Sequence, residues 1–404
     1  MLKISNIITK LLIYGLIISF ISVMYFQKVL DENIPATGFG LSYLLFYLAG
    51  MFMISAGMLG LFFESKEYPI YSKILYLVAL IWISWVYLRD GNGLSPHSFF
   101  NIKSPSPYFA LSIMFTTSNQ ERLNKINKIL YLGLIALTIN MAINISNIGF
   151  TFDRVLALKK LLFLINGAIW VVPVVLFSNS SNFKRTTIAY ICFAFVIYAS
   201  ILTATRSNLV ICSSVFIALL FYRRVFKKLD YLYLVVMLII PVFLIINIFL
   251  ESEYRVVLDQ GVKLLEARVD DDSRSSQITE FLDQLKFDDL VLGAGTNAKW
   301  YWTAVGKYYE FLDNQWLLTA WWAGLLPTLC YFLLLIIPFA KSLFSRNEAV
   351  FVNGLVVLLW VLTCSGLGVY VSIQCDLLFY VISLSAGVCT YNLVHKEKIT
   401  FNST

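Results

Sequence analysis

Four groups of polar residues could carry chemistry, because each is predicted to face outward from the apolar runs of the chain or to lie within them. The first is a tight corner between two such runs, Thr203-Ala204-Thr205-Arg206-Ser207-Asn208. The second is a cluster of three cations in a short predicted loop, Arg154, Lys159 and Lys160. The third is Arg274, which follows three consecutive aspartates, and the fourth is the pair Asp313-Asn314 before the apolar run that begins near Trp316.

The cations of the first two groups each have two interpretations. A cation at a membrane edge either anchors the chain by reaching the headgroups or binds an anion. For Arg206 both interpretations stay open. For Arg154, Lys159 and Lys160 the alternatives are contact with phospholipid headgroups and a site for pyrophosphate, since a guanidinium fork binds two phosphate oxygens at once.

Arg274 and Asp313 also have plain structural alternatives. Arg274 could pair with Asp270 to Asp272, although a cation at a helix N-terminus is mildly disfavoured by the helix dipole. Asp313 could be the N-cap of the helix that follows. His97 and His395 have no Cys, His or carboxylate cluster at ligand spacing, so we expect no metal site and no cofactor.

The composition decides what kind of fold must position these residues. Of 404 residues, 59% are hydrophobic and 14% are charged, and the mean hydropathy is +0.76. Globular chains have about 25% charged residues, so soluble enzymes, disordered chains and disulfide scaffolds are excluded. The apolar residues form runs of roughly 20, long enough to cross a bilayer as helices. We therefore predict an all-α, polytopic integral membrane helical bundle.

We predict about twelve transmembrane helices. A bundle of nine occupies residues 1–250, a large loop occupies 251–314, and the last three helices with a short tail occupy 315–404. The run at 106–118 is short, and whether it crosses fully is left open. The predicted spans are 7–26, 39–63, 70–88, 106–118, 129–149, 161–178, 188–203, 208–222, 231–250, 315–340, 350–372 and 376–394.

The distribution of lysine and arginine predicts the orientation. The side that carries both termini holds 17 of the 31 basic residues and the short opposite loops hold seven, so both termini are expected in the cytoplasm. The segment 251–314 then faces outward, with 13 acidic and 7 basic residues, and is not a nucleic-acid patch. Helical spacing predicts two short helices within it, at 254–269 and 274–285.

Residues 313–327 resemble the re-entry motif of the O-antigen ligase and polymerase superfamily, which is His-Asn, nine residues, then Gly-x-x-Gly. Asn314 is followed by nine residues and then Gly324. Asp313 stands where the ligases have His, and Pro327 stands where the second Gly falls. Polymerases vary more than ligases at both positions, so these departures favour the polymerase branch.

Two further pieces agree with this resemblance, which covers roughly residues 200–327. Residues Thr203 to Asn208 are similar to the Thr-x-Ser-Arg-Ser corner of the family. Ser273-Arg274, followed by Gly293-Ala294-Gly295, is similar to the Arg-helix-Gly-x-Gly stretch of its large periplasmic loop.

The resemblance implies transfer of a glycan from undecaprenyl pyrophosphate to an acceptor sugar, on the periplasmic face of a bacterial inner membrane. It implies a base, Asp313, and arginines that stabilise the pyrophosphate, Arg206 and Arg274, without a metal. Arg154, Lys159, Lys160 and Asn314 are the further expected substrate-binding residues. Expected partners are the lipid-linked donor and acceptor glycans and membrane lipids, with a chain-length regulator as a further candidate and no nucleic acid.

Two other functions fit a chain of this kind. One is the O-antigen ligase, against which the missing His at 313 argues. The other is a flippase or transporter for lipid-linked oligosaccharides, for which about twelve helices are also common. A flippase needs charges along an inner cavity, whereas here they concentrate at the outer rim, which favours an enzyme.

Overall fold

The structure is a computed structural model, and it describes most of the chain in segments. The predicted span at 231–250 and the first predicted loop helix at 254–269 lie outside the described residues. So does Asp313. The described segments are 2–31, 36–91, 103–148, 154–178, 183–203, 205–222, 273–303, 305–310, 312, 314–345, 347–364 and 377–395.

The described chain is almost entirely helical, as predicted. A single antiparallel hairpin of two short strands, β1 (Trp300–Trp302) and β2 (Lys307–Tyr309), is the described exception, with Tyr301 opposite Tyr308. The helices are α1 (Leu2–Asp31), α2 (Ala36–Phe63), α3 (Ile70–Arg89), α4 (Ser106–Leu111), α5 (Gln120–Ile148), α6 (Arg154–Ser178), α7 (Phe183–Leu202), α8 (Arg206–Tyr222), α9 (Ser273–Gln284), α10 (Phe287–Leu292), α11 (Gln315–Ala323), α12 (Leu325–Ser342), α13 (Glu348–Cys364) and α14 (Leu377–Val394). Short 3₁₀ helices lie at Ser65–Glu67 and Ser112–Thr116.

Within the described residues, six helices are long and apolar enough to cross a membrane. This confirms an all-α membrane protein, while the number of about twelve spans stays a prediction. The six spans are Lys3–Tyr25, Leu44–Phe63, Ile70–Arg89, Gln120–Ser146, Lys184–Leu202 and Leu325–Ser342. Shorter apolar helices occupy Lys160–Leu176, Ser207–Ile217, Ala349–Cys364 and Phe379–Val394.

Among the predicted spans whose bounds differ from the helices, two bear on the predicted site residues. Helix α6 begins at Arg154 rather than near 161, so Arg154, Lys159 and Lys160 lie in its first two turns and not in a loop. Hydropathy places the start of this helix after its last charged residue, Lys160. Lysine and arginine are good helix formers, so the helix itself can begin earlier. The predicted span 315–340 is two helices, α11 and α12, separated at Gly324.

The chain forms two compact units. The first comprises Met1–Ser19, Tyr43–Ile126 and Asp272–Thr400, and the second comprises Phe20–Ser42, Asn127–Asp271 and Phe401–Thr404. In the second unit, α6 to α8 pack together, and Gln27 of α1 accepts a hydrogen bond from the backbone N–H of Phe163 at 3.2 Å. In the first unit, α3, α12, α13 and α14 pack side by side.

Arg122 marks one end of the first unit, called here the Arg122 end. Its guanidinium is buried and donates to both carboxylate oxygens of Glu64, at 2.7 and 2.8 Å. It also donates to Ser5 Oγ at 2.8 Å and to Thr9 Oγ1 at 3.0 Å. This network joins the beginnings of α1 and α5 to the end of α2, with every guanidinium nitrogen satisfied.

The opposite end of the first unit, called here the Arg89 end, contains the C-terminus of α3 and the segment 293–298. The short predicted run at 106–118 connects the two ends. Lys103 contacts Ala298 at the Arg89 end, while the carbonyl of Thr116 accepts from Arg122. Between them α4 and the following 3₁₀ helix are buried almost throughout, in contact with α14.

Candidate functional site

The corner between α11 and α12 is the centre of the site that the described residues support. Asn314 caps α11, because its Oδ1 accepts a hydrogen bond from the backbone N–H of Leu317 at 3.0 Å. The structural alternative for Asp313, that it is the N-cap of this helix, is therefore wrong. Asn314 occupies the extended N-cap conformation, and an N-cap side chain reaches the N–H three residues ahead of it.

Helix α11 ends at Gly324, where the chain turns back into α12. Gly324 has φ +99° and ψ 164°, a conformation that is essentially restricted to glycine. A Cβ there would lie 2.8 Å from the carbonyl oxygen of Val291. Pro327 fits the first turn of α12, where a backbone N–H has no helical acceptor. Its presence in place of a second glycine is therefore compatible with the corner.

The Gly293-Ala294-Gly295 segment docks directly on this corner. The N–H groups of Ala294 and Gly295 donate to the carbonyls of Trp321 and Trp322, at 2.7 and 3.0 Å. A Cβ on Gly293, which has φ +84°, would lie 2.6 Å from the Trp322 oxygen. The turn thus satisfies carbonyls at the end of α11 that lack partners within the helix. Two pieces of the sequence motif, far apart in the chain, form one packed unit.

The end of α3 holds the same segment from the other side. Asp90 Oδ2 accepts from the backbone N–H and the hydroxyl of Thr296, the latter at 3.0 Å. Arg89 pairs with Asp90 at 3.2 Å and donates to the carbonyl of Gly293 at 2.9 Å. Sequence reasoning missed both residues, because each binds backbone groups about 200 positions further along the chain.

Lys103 is a buried cation in this site, and its position in the sequence carried no signal either. Its side chain is 4% exposed, and Nζ donates to the carbonyl of Ala298 at 2.8 Å. Nζ also lies 4.8 Å from the centre of the Trp321 ring, as in a cation–π contact. Burial lowers the pKa of Lys103 to about 8, and the nearby Glu310 carboxylate opposes this effect. The site therefore contains positive charge in a largely dry setting.

Helix α9 is fixed to this site by an aromatic contact. Phe281 is buried between Trp300 and Trp321, with ring centroids 5.7 and 5.2 Å away in edge-to-face geometry. Arg274 lies in the first turn of α9, and positions 274, 277 and 281 share one helical face by their spacing. The side chain of Arg274 lies outside the described residues.

The Arg206 corner belongs to the second unit. Arg206 is the first residue of α8, and its side chain is outside the described residues. The turn before it is compact: Thr205 Oγ1 lies 3.0 Å from Thr203 Oγ1 and accepts from Asn208 at 3.2 Å. These hydrogen bonds hold the turn between α7 and α8 in a compact conformation, as the tight polar corner in the sequence predicts.

The predicted second cation cluster is also in this unit. Lys160 is half-buried in the second turn of α6, while the side chains of Arg154 and Lys159 lie outside the described residues. Among the side chains that are described, no three of His, Cys, Asp or Glu gather where they could hold a metal ion. The chain matches no family model, no curated protein and no solved structure.

Proposed function

We propose that the protein is a glycosyltransferase that polymerises oligosaccharide repeat units linked to undecaprenyl pyrophosphate, on the periplasmic face of a bacterial inner membrane. The supporting observation is the docking of Gly293-Ala294-Gly295 on the Gly324 corner. Both pieces belong to the sequence motif that resembles the O-antigen polymerases. Gly293 and Gly324 have positive φ angles and lie in close backbone contact, where a Cβ would not fit.

Two of the proposed catalytic positions adjoin well-packed helices in the sequence, which supports the proposal. Asn314 fixes the start of α11, so position 313 directly precedes a capped helix. Trp321, near the end of the same helix, contacts Phe281 of α9, the helix that begins beside Arg274. Precise positioning of reacting groups contributes several kcal/mol to catalysis when the supporting elements do not move.

In the proposed reaction, the carboxylate of Asp313 accepts the proton of the acceptor hydroxyl. The new bond forms between that oxygen and the anomeric carbon of the donor, as the bond from this carbon to pyrophosphate breaks. The electron pair leaves with undecaprenyl pyrophosphate, and Arg206 and Arg274 stabilise its charge. Arg154, Lys159 and Lys160 contribute further binding of the donor anion. The arginines neutralise the leaving group, so the proposal requires no metal.

The test replaces each arginine by lysine in cells that make the polysaccharide. Lysine keeps the charge but lacks the planar fork that binds two phosphate oxygens. We expect Arg206→Lys and Arg274→Lys each to abolish long polymer, while the protein still accumulates in the membrane. Arg185→Lys, in the first turn of α7 and outside the proposed site, is the matched control and should leave chain length unchanged.

The same polysaccharide analysis separates the proposal from its alternatives. A strain without the polymerase would attach one repeat unit to the acceptor lipid. A strain without the ligase would attach none, and a strain without the flippase would retain the unit inside the cell. Normal ladders from both arginine variants would contradict the assignment of the pyrophosphate site.

A further inference from the structure

Helix α10 presents apolar side chains to its surroundings, although it lies in the connection between membrane helices. Phe287 is 78% exposed and Val291 is 42% exposed. Together with Leu290 they share one face of the helix, and Asp288 and Asp289 lie on the other. Exposed apolar residues grouped on one side of a helix favour contact with an apolar partner on that side.

The C-terminal end of α10 adjoins the end of α3, a helix that carries an exposed apolar stripe. Arg89, the last residue of α3, donates to the carbonyls of Leu292 and Gly293 at the end of α10, at 3.5 and 2.9 Å. The stripe consists of exposed residues at helical spacing along the whole of α3: Ile70, Ile74, Leu77, Ile81, Trp85 and Leu88. In a membrane-length helix, such a stripe is the face that contacts lipid.

A second lipid-facing stripe meets α10 from α12. The carbonyl of Val291 lies against Gly324, immediately before the first residue of α12. From there the exposed residues Leu325, Leu326, Leu329 and Leu333 follow one side of α12. The C-terminal end of α10 therefore lies beside the exposed faces of two membrane-length helices at the Arg89 end.

The level of α10 relative to a bilayer follows from the residues beside it. The Arg89 guanidinium lies 5.3 Å from the Trp85 ring, and Trp85 packs against Trp82. Tryptophan and arginine at the end of an apolar helix are typical of the boundary between headgroups and acyl chains. Helix α10 contacts this same end of α3 through Arg89 and, at six residues, is too short to cross.

We propose that α10 is an interfacial helix bound by bilayer lipid, with Phe287 and Val291 inserted among the acyl chains and Asp288 facing water. Lipid, and no protein, covers this face. The insertion holds the Gly293-Ala294-Gly295 segment, which follows α10 directly, at the membrane surface. This inference does not depend on the proposed catalytic activity or on which side of the membrane the Arg89 end occupies.

Fluorescence quenching in reconstituted vesicles tests the proposal. Phe287→Cys carries an environment-sensitive fluorophore, in vesicles of phosphatidylethanolamine and phosphatidylglycerol. Tyr308→Cys, 70% exposed on β2, is the matched control in water. The five described native cysteines are buried. Cys375 is replaced by serine in every variant, and the same protein without an introduced cysteine measures any labelling at other sites.

We expect the label at 287 to be quenched by nitroxide on the upper acyl chain and protected from aqueous iodide, with blue-shifted emission. The label at 308 should show the reverse. Iodide quenching at 287 equal to that at 308 would place the face in water and overturn the proposal. Protection from both quenchers would mean that a second copy or another protein covers it, which also overturns it. Val291→Cys gives a second position if the first variant does not fold.

Discussion

Replacing Gly324 with alanine should damage the corner on which the proposed site depends. The change adds one methyl group to a residue with φ +99° and ψ 164°. That methyl would lie 2.8 Å from the carbonyl oxygen of Val291 and 3.3 Å from the backbone nitrogen of Gly293. Both are backbone atoms, so neither can turn away by changing a side-chain rotamer.

The expected loss of stability has two parts. Holding a non-glycine residue in this region costs about 1–3 kcal/mol. Forcing a methyl into a packed contact costs about another 1–3 kcal/mol. Gly306→Ala is the control: its φ is +67°, but the nearest atom to a new Cβ is Tyr301 Oη at 4.0 Å. That variant should therefore cost only the left-handed backbone term of roughly 1–2 kcal/mol.

The assay compares thermal unfolding of the purified variants in detergent. Unfolding is measured as the decrease in the fraction of protein that remains monodisperse after heating. Alanine also reduces the entropy of the unfolded chain, but this effect is the same in both variants and cancels in the comparison. Gly324→Ala should unfold at a clearly lower temperature than Gly306→Ala. Equal midpoints would show that Gly324 and Val291 are not packed as described, and the docking argument would fail.

Three further changes test other parts of the chain. Arg122→Ala should lower the free energy of unfolding by up to about 3–5 kcal/mol, because it leaves the Glu64 carboxylate, which is 15% exposed, without its buried charge partner. Lys125→Ala, in an exposed pair on the same helix, should have no measurable effect. Burial lowers the pKa of Lys103 in the folded protein to about 8, below the ordinary 10.5. Between pH 8 and 10.5 the lysine is therefore protonated mainly in the unfolded chain. The free energy of unfolding should then rise from pH 8 to 10.5 by on the order of 3 kcal/mol, and thermal scans of Lys103→Met should lack that rise. Asp313→Asn should keep the thermal midpoint and lower polymerisation of lipid-linked substrate about 10²–10⁴-fold, and a normal rate would exclude a base at this position.

The membrane helices could be predicted from the sequence because hydropathy and helix formation coincide over most of their length. The prediction 70–88 against the observed Ile70–Arg89 is an example. Hydropathy and helix bounds differ where a helix includes a charged residue, as at Arg154, or where a glycine ends a helix within an apolar run. Gly324 lies in an unbroken apolar stretch, so its hydropathy gave no indication of a turn. Only its spacing from Asn314 marked it.

The partners of the site residues could not be predicted, because they are backbone groups. Asp90 accepts from the N–H of Thr296, and Lys103 donates to the carbonyl of Ala298. Every residue carries such groups, so no pattern of side chains in the sequence identifies which of them will be reached. The two glycines did mark Gly293-Ala294-Gly295 as part of the family motif, but the contact with α11 could be seen only in the folded chain.

The pair Asp313-Asn314 shows how the structure changes the weight of a chemical hypothesis. From the sequence, Asp and Asn are about equally good N-caps, so the capping interpretation competed directly with catalysis at 313. In the structure the cap bond to Leu317 is made by Asn314. With the cap supplied by its neighbour, the strongest structural reason for an acid at 313 is gone, and the chemical reason carries correspondingly more weight.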